Sequence, residues 1–229
     1  LKRAKNSNYK VLVVTADIPA SSRRERLRLA GVSVPPKNNL RTFYHAAIRP
    51  SWSFQTLTNG LPKFGTMDQY MDGNWHGTKK VKAGFAGSQM KGFLDWDYLK
   101  EVKDIWKGPV VLKGIMHSDD AVKASRIIDC IYLSNHGGRQ LDLAPSPIQI
   151  LPEVRKSLKK DFPIIIDSGF YSGQDMCKAI MLGANFVMTG RPFFIGIAAL
   201  GEIGAQHIHD IIKDEIQNVM EQVCCKDIK

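Results

Sequence analysis

The stretch CIYLSNHGGRQLD, residues 130–142, joins a continuous apolar run to a turn that carries His136, two glycines and Arg139. The apolar run is typical of a buried β-strand. A titratable ring and a fixed cation therefore follow the C-terminal end of that strand. A polar loop closed by a glycine turn accounts for the same residues. The competing hypothesis is a catalytic base beside an anion-binding arginine.

Four more apolar runs have the same character, being continuous and rich in Val and Ile. They are KVLVVTAD (10–17), PVVLKGI (109–115), PIIIDSG (163–169) and NFVMTG (185–190). Such runs predict strands of a parallel sheet that is covered on both faces. Helical periodicity separates or follows them over residues 93–106, 146–158, 172–182 and 198–223. The chain is therefore predicted to be an α/β protein.

Two architectures fit repeated strand–helix units, an open doubly wound sheet and a (β/α)8 barrel. A residue of functional type ends or follows every strand, and these residues are Thr15, Asp17, Lys113, His136, Asp167 and Arg191. A barrel distributes its chemistry around all the strand ends, whereas a doubly wound sheet concentrates it at one crevice. We therefore predict a (β/α)8 TIM barrel, incomplete here because five strands are found.

Residues 28–92 do not continue the alternation of predicted strands and helices. This segment contains Pro, Gly and Asn among aromatic residues. A segment of this length predicts a functional excursion or lid, although an ordinary ordered excursion is the alternative. Its mixed basic and aromatic content is also compatible with peripheral contact with a membrane surface.

The composition is that of a globular protein, with 44% hydrophobic residues, 24% charged residues and a formal net charge of +10. No apolar run approaches the roughly 18 residues that a membrane-spanning helix needs. Neither zinc-finger spacing nor an RNA-binding aromatic signature is found, so nucleic acid is not an expected partner. The four cysteines lack metal-binding spacing, so no metal site is predicted, and a reducing, intracellular compartment is expected.

Two glycine-bearing turns, DSGFYSG (167–173) and TGRP (189–192), each precede a predicted helix. Backbone amides in such turns can hold a phosphate with the help of a helix N-terminus, and Arg191 adds positive charge. Barrels frequently place their phosphate site after the last two strands. We therefore predict a phosphate-binding site at these turns.

Lys113 lies inside an apolar strand and needs an anion or acceptor there. It could form a Schiff base, stabilise charge on a bound electron acceptor, or pair with a strand-end carboxylate. Asp17 could orient His136 and raise its basicity. Arg24 and Arg139 could each bind a substrate carboxylate through paired hydrogen bonds.

The motifs TAD, VVLKGI, SNHGGRQLD, DSGFYSG and TGRP occur in this order along the chain. Together they resemble the FMN-dependent 2-hydroxy acid oxidases and dehydrogenases, the family of glycolate oxidase and the flavin L-lactate dehydrogenases. The likeness covers essentially the whole chain and is greatest to the (S)-mandelate dehydrogenase branch. It implies FMN-dependent oxidation of an L-2-hydroxy acid to the 2-oxo acid.

The resemblance also implies roles for individual residues. His136 would be the catalytic base and Asp17 its partner, while Arg24 and Arg139 would bind the substrate carboxylate. Lys113 would face the N1 and O2 region of the flavin. The implied cofactor-binding residues are Thr15, Lys113, Ser134, Asp167, Ser168, Gly169, Phe170, Tyr171, Gly190 and Arg191.

The chain departs from the family pattern in two ways. Tyr171 stands where the family usually has an arginine on the FMN phosphate, which predicts weakened FMN affinity. The N-terminal half of the family domain is absent, so the chain is expected to hold strands 4 to 8 of the barrel with two open edges. Association with that missing half, or a homo-oligomer, is the expected assembly. The expected location is cytoplasmic or peripheral to a membrane.

Two alternatives remain open at this point. One is a non-catalytic barrel remnant that acts as a binding or interaction module. The other is a phosphate-binding barrel enzyme without flavin, such as an aldolase that uses Lys113.

Overall fold

A computed structural model describes residues 1–20, 22, 25–31, 39–60 and 94–228 of the chain. Contacts divide the chain into two compact units, Leu1–Ile18 with Phe93–Lys229 and Pro19–Gly92. The larger unit contains the five strands, and the smaller unit encloses the predicted excursion over residues 28–92.

The five predicted strands form one parallel sheet in the order β1-β2-β3-β4-β5. Their bounds are β1 Leu12–Thr15, β2 Val110–Ile115, β3 Cys130–Leu133, β4 Ile164–Ile166 and β5 Phe186–Val187. Each strand pairs with the next one along the chain. A doubly wound sheet reverses its strand order at a switch point. The described strands show no reversal. Their sequential order is the one that strands of a (β/α)8 barrel have.

Six helices of the larger unit are α1 Lys2–Asn6, α5 Trp96–Trp106, α6 Ser118–Ala124, α7 Pro147–Ser157, α8 Gly173–Met181 and α9 Arg191–Leu200. A seventh, α10, spans Gly204–Gln222. The smaller unit holds α2 Glu25–Leu29, α3 Leu40–Ala47 and α4 Pro50–Asn59. The helices predicted within 93–106, 146–158 and 172–182 are confirmed.

The prediction of one continuous helix over residues 198–223 is wrong. Helix α9 ends at Leu200, where Gly201 adopts a left-handed φ of 64°, and α10 starts at Gly204 after a short 3-10 turn. A Cβ on Gly204 would collide with the backbone oxygen of Gly196. The two helices therefore touch backbone to backbone, which a single straight helix cannot do.

The outer face of the sheet forms the main core. Apolar side chains of β2, β3 and β4 pack there against helices α5, α6 and α7, and the fully buried members include Val110, Ile131, Leu133, Leu151, Val154, Ile164 and Ile166. Burial of this kind supplies the main favourable term in folding. The helices therefore hold the strands in place through the outer face of the sheet. In the described part of the chain, the inner face does not contact these helices.

The inner face of the sheet becomes more exposed towards both edges. Val111 on β2 is 5% exposed, whereas Val13 on β1 is 48% and Phe186 on β5 is 65% exposed. Strands β1 and β5 each have one neighbour in the described part of the chain. The exposed apolar side chains lie where further strands of a barrel would pack.

Helix α3 in the smaller unit carries an exposed apolar stripe. Leu40, Phe43, Tyr44 and the following Ile48 are all exposed and recur at helical spacing. The Asn39 side chain caps the helix by accepting a hydrogen bond from the Thr42 amide at 2.9 Å. Within the described ranges, no helix is long and apolar enough to cross a membrane.

Candidate active site

A cavity of about 350 Å³ opens at the C-terminal ends of strands β2 to β5. This volume falls in the range of small-molecule sites. Ten of the predicted site residues line it, namely Lys113, His136, Arg139, Asp167, Ser168, Gly169, Phe170, Tyr171, Gly190 and Arg191. Parallel strands bring their C-terminal ends to one edge, so residues far apart in sequence meet here.

The charge of Lys113 is compensated by groups that directly follow the next two strands, β3 and β4. Its ammonium donates to the Ser134 hydroxyl at 2.6 Å and lies 3.3 Å from the nearer carboxylate oxygen of Asp167. Ser134 is fully buried and lies behind the cavity lining, where its hydroxyl also accepts from the His136 amide. The predicted pairing of Lys113 with a strand-end carboxylate is therefore present.

Asp17 and His136 meet above the end of strand β2. The His136 Nδ1 atom lies 3.4 Å from both carboxylate oxygens of Asp17. Gly114 lies beneath them at a register shift of β2, with a φ of 101°. A Cβ on Gly114 would stand 2.6 Å from the Cβ of Asp17. The missing side chain is what allows the carboxylate to reach the histidine.

His136 adopts a left-handed backbone with a φ of 56°, as do Gly137 and Gly138 after it. Such a φ is uncommon for a residue other than glycine and costs conformational energy. Two local bonds hold the turn, since the His136 amide donates to Ser134 at 3.1 Å and the Gly138 amide donates to the Asn135 side chain. The strained turn directs the imidazole towards the cavity and Asp17.

The turn after β4 is tied to the turn after β3. The Gly137 amide donates to the Ser168 hydroxyl at 2.9 Å, and this hydroxyl donates to Asp167 at 2.7 Å. From the next turn, the Arg191 guanidinium donates to the Gly137 carbonyl at 2.6 Å and to the Tyr171 hydroxyl at 3.5 Å. The three turns therefore form one connected rim.

The two predicted phosphate turns differ in the structure. The N-terminus of α8 is already capped, because Asp175 accepts from the Tyr171 and Ser172 amides and Glu215 accepts from the Gly173 amide at 2.6 Å. An anion placed there would meet two carboxylates.

Helix α9 offers the better phosphate position. Gly190 gives no side-chain cap to this helix, and nothing lies within 4 Å of where its Cβ would stand. Gly169, which also lines the cavity, is equally open. With Arg191 beside Gly190, this turn combines open backbone with positive charge.

Two predicted site residues, Thr15 and Asp17, are not in the cavity lining, and a third lies outside the described residues. Thr15 is exposed at the end of β1 and does not line the cavity. Asp17 reaches the site only through its contact with His136, and Arg24 lies outside the described residues.

Residues that the sequence reasoning missed include Gly114 and the lining residues Tyr132, Gly137, Met188 and Thr189. The period-two alternation of β3 would have placed Tyr132 on the same face as Cys130.

Burial governs the titration of the inner-face groups on β3. Desolvation raises the pKa of the Cys130 thiol to about 11. Burial and, after it, the nearby charge and hydrogen bond of Asp167 raise the pKa of the Tyr132 phenol. Both groups therefore stay protonated at neutral pH.

Among the described side chains, no group of three or more His, Cys, Asp and Glu residues is placed to bind a metal ion.

Comparisons with known proteins identify the family. The FMN-dependent dehydrogenase family matches residues 1–229. The chain belongs to this family. It is 32% identical over 228 residues to (S)-mandelate dehydrogenase of Pseudomonas putida, covering 99% of this chain and 56% of that protein. It is 35% identical over 231 residues to L-lactate dehydrogenase of Vibrio cholerae serotype O1, covering 100% of this chain and 60% of that protein.

Solved structures of the family agree with this assignment. The crystal structure of the monotopic membrane protein (S)-mandelate dehydrogenase matches with a TM-score of 0.88 at 30% identity, over 99% of this chain and 60% of that chain. A mandelate oxidase variant with an FMN adduct matches with a TM-score of 0.71 at 27% identity, over 99% and 55% of the two chains. The chain thus spans little more than half of these relatives. The sequential sheet and these matches confirm an incomplete (β/α)8 barrel.

The cavity suits FMN, the cofactor of the family, which joins a flavin ring to a terminal phosphate. Gly169 and Gly190 leave open volume where a side chain would otherwise stand, and Arg191 supplies a cation for the phosphate. Lys113, on β2, supplies a second cation in the cavity lining. The donors and the open backbone therefore match the two ends of FMN.

Replacing Gly114 by alanine should destabilise the larger unit. The new Cβ would clash with Asp17 and occupy a left-handed backbone position, so we expect the free energy of unfolding to fall by about 1–3 kcal/mol. Urea unfolding followed by circular dichroism measures this change. Gly190→Ala is the matched control, because its Cβ meets nothing within 4 Å. Equal stability of the two variants would contradict the steric argument.

Proposed function

We propose that this chain is the C-terminal part of an FMN-dependent oxidoreductase that converts an L-2-hydroxy acid into the 2-oxo acid. The observation that carries the proposal is one cavity rim that joins the Asp17–His136 pair, the compensated Lys113 and the Arg191 turn. Membership of the FMN-dependent dehydrogenase family supports the same activity.

His136 is the proposed base. Because Asp17 faces the Nδ1 atom, the Nε2 atom of the imidazole is left to take the hydroxyl proton of the substrate. The Asp17 carboxylate would stabilise the imidazolium that results. The strained turn fixes the ring in this orientation before substrate binds.

Arg139 is the proposed substrate clamp in the described part of the chain. It lines the same cavity as His136 and follows it by three residues. A guanidinium group matches a carboxylate with two parallel hydrogen bonds. Arg24 is proposed as a second clamp on the strength of the family resemblance.

FMN, when bound, would accept two electrons and the hydrogen from the substrate carbon. Arg191, Gly190 and Gly169 would hold its phosphate, and Lys113 would stabilise negative charge on its ring. The ammonium of Lys113 donates to Ser134 and pairs with Asp167. This arrangement supports charge stabilisation over the free amine that a Schiff-base aldolase requires.

The central test is flavin reduction by the full-length protein to which this chain belongs. We expect a flavin spectrum that bleaches anaerobically with lactate, mandelate or glycolate. His136→Gln should retain FMN yet slow bleaching by about 10²–10⁴-fold, because the general base is lost.

The control is His209→Gln, which alters an exposed histidine on α10. A colourless full-length protein with intact secondary structure would favour the non-catalytic remnant instead. Unchanged bleaching by His136→Gln would exclude His136 as the base. The same assays on the chain alone show whether the exposed inner edges at Val13 and Phe186 need the rest of the barrel.

Tyr171 is proposed to weaken the hold on the FMN phosphate. Its hydroxyl already accepts a hydrogen bond from Arg191 at 3.5 Å, and it adds no charge. Tyr171→Arg should tighten FMN binding about three- to tenfold by adding a charge-assisted donor. Fluorescence titration of the apoprotein with FMN measures the Kd.

A surface tyrosine of similar exposure provides the control for this change. Tyr171 is 48% exposed and Tyr98 on α5 is 52% exposed. Tyr98→Arg adds the same charge away from the cavity and should leave the Kd unchanged. Equal FMN affinity of wild type and Tyr171→Arg would refute the proposed weakening.

We also propose that the segment 28–92 makes peripheral contact with a membrane. The support is the exposed apolar stripe on α3 together with the likeness to a monotopic membrane protein, (S)-mandelate dehydrogenase. Exposed Arg41 and Arg49 flank the stripe and suit an anionic lipid surface.

Removing the apolar stripe should reduce membrane binding. Phe43→Ser combined with Tyr44→Ser should lower partitioning to phosphatidylcholine–phosphatidylglycerol vesicles about tenfold, since aromatic burial at the interface is lost. Co-sedimentation measures the bound fraction. Leu143→Ser, at an exposed leucine of the larger unit, is the control. Equal sedimentation of all three proteins would overturn the proposed contact.

A further inference from the structure

Tyr132 is a cavity residue to which the proposed function gives no task. It lies in the middle of β3, paired in register with Lys113 on β2 and with Ile165 on β4. Its side chain is 8% exposed and lines the same cavity as Lys113 and Asp167. The phenol therefore shares the cavity lining with a cation and an anion.

The ring of Tyr132 contacts the Lys113 ammonium. The Nζ atom lies 4.9 Å from the ring centroid, within the distance at which a cation is attracted to an aromatic face. This attraction stabilises the ammonium without using one of its three N–H groups. One N–H donates to Ser134 at 2.6 Å, and the Nζ atom forms an ion pair with Asp167 at 3.3 Å.

The hydroxyl of Tyr132 acts on the same network through Asp167. After burial, the charge of Asp167 and a hydrogen bond to it contribute to the raised pKa of the phenol, and the same carboxylate accepts from Ser168 at 2.7 Å. Burial keeps the phenol protonated, so it remains a donor. Tyr132 and Lys113 therefore both interact with the Asp167 carboxylate.

We propose that Tyr132 is a positioning residue that keeps the Lys113 ammonium turned towards an electron-rich group in the cavity. The inference rests on the proposed function, under which that group is the flavin ring. Through Lys113, Tyr132 then stabilises the anionic reduced form of the flavin. It thereby raises the reduction potential and strengthens adducts that place negative charge on the ring.

The test measures sulfite binding and midpoint potential in the full-length protein with FMN bound. Sulfite adds to oxidised flavin and leaves an anionic ring, so its Kd reports the positive charge nearby. Tyr132→Phe keeps the ring and loses the donor, and should weaken sulfite binding about threefold. Tyr132→Leu loses both and should weaken it about tenfold, with a parallel fall in midpoint potential.

A double-mutant cycle with Lys113→Met shows whether Tyr132 acts through the lysine. We expect the Tyr132 variants to change neither quantity further once the ammonium is gone. Tyr98→Phe, on exposed surface, is the control and should match wild type. Tyr132→Phe is nearly isosteric, so it carries the test even if Tyr132→Leu fails to fold.

The outcomes separate this inference from the proposed function. Full-length protein that binds no FMN overturns both. Bound FMN with unchanged sulfite Kd and potential in Tyr132→Phe and Tyr132→Leu overturns the role of Tyr132 and leaves the function standing. Effects that persist in the Lys113→Met background would mean that Tyr132 acts directly on the flavin, which also overturns the proposed role.

Discussion

Lys113 carries its charge on a strand inside the sheet, where the Asp167 carboxylate 3.3 Å away and the Ser134 hydroxyl 2.6 Å away compensate it. A buried cation without such partners would be costly. The three groups come from β2 and from the ends of β3 and β4, so the pairing register of these strands must be kept for the charge to be tolerated. The same strand register therefore fixes the strand order, shapes the cavity and compensates the charge of Lys113.

The chemistry at the rim follows from the same register. Asp17 after β1 and His136 after β3 are separated by β2, and they meet because Gly114 has no side chain between them. Ser168 and Arg191 then tie the turns after β4 and β5 to the histidine turn. Asp17, Lys113 and Arg191 each contact a residue that belongs to or follows another strand. The described part of the barrel thus brings the proposed base, the proposed substrate clamp and the proposed phosphate turn to one connected rim.

Much of the fold was predictable because it depends on local pattern. Continuous Val- and Ile-rich runs identified the five strands found among the described residues, and helical spacing identified α5, α7 and α8. The break at Gly201 was not predictable, since it depends on the close approach of Gly196 and Gly204 across two helices. The phosphate turns looked alike in sequence. They differ because Glu215, 42 residues away from Gly173, caps one of them.

The sequence by itself determined the parallel strands, the residue types at their ends and the family, because hydrophobic pattern and motif order are written along the chain. Tertiary structure alone decided which of these residues touch. It paired Lys113 with Asp167, placed Gly114 under the Asp17–His136 contact and put Tyr132 beside the lysine. These contacts depend on strand register and backbone approach, which arise only when distant segments pack against one another.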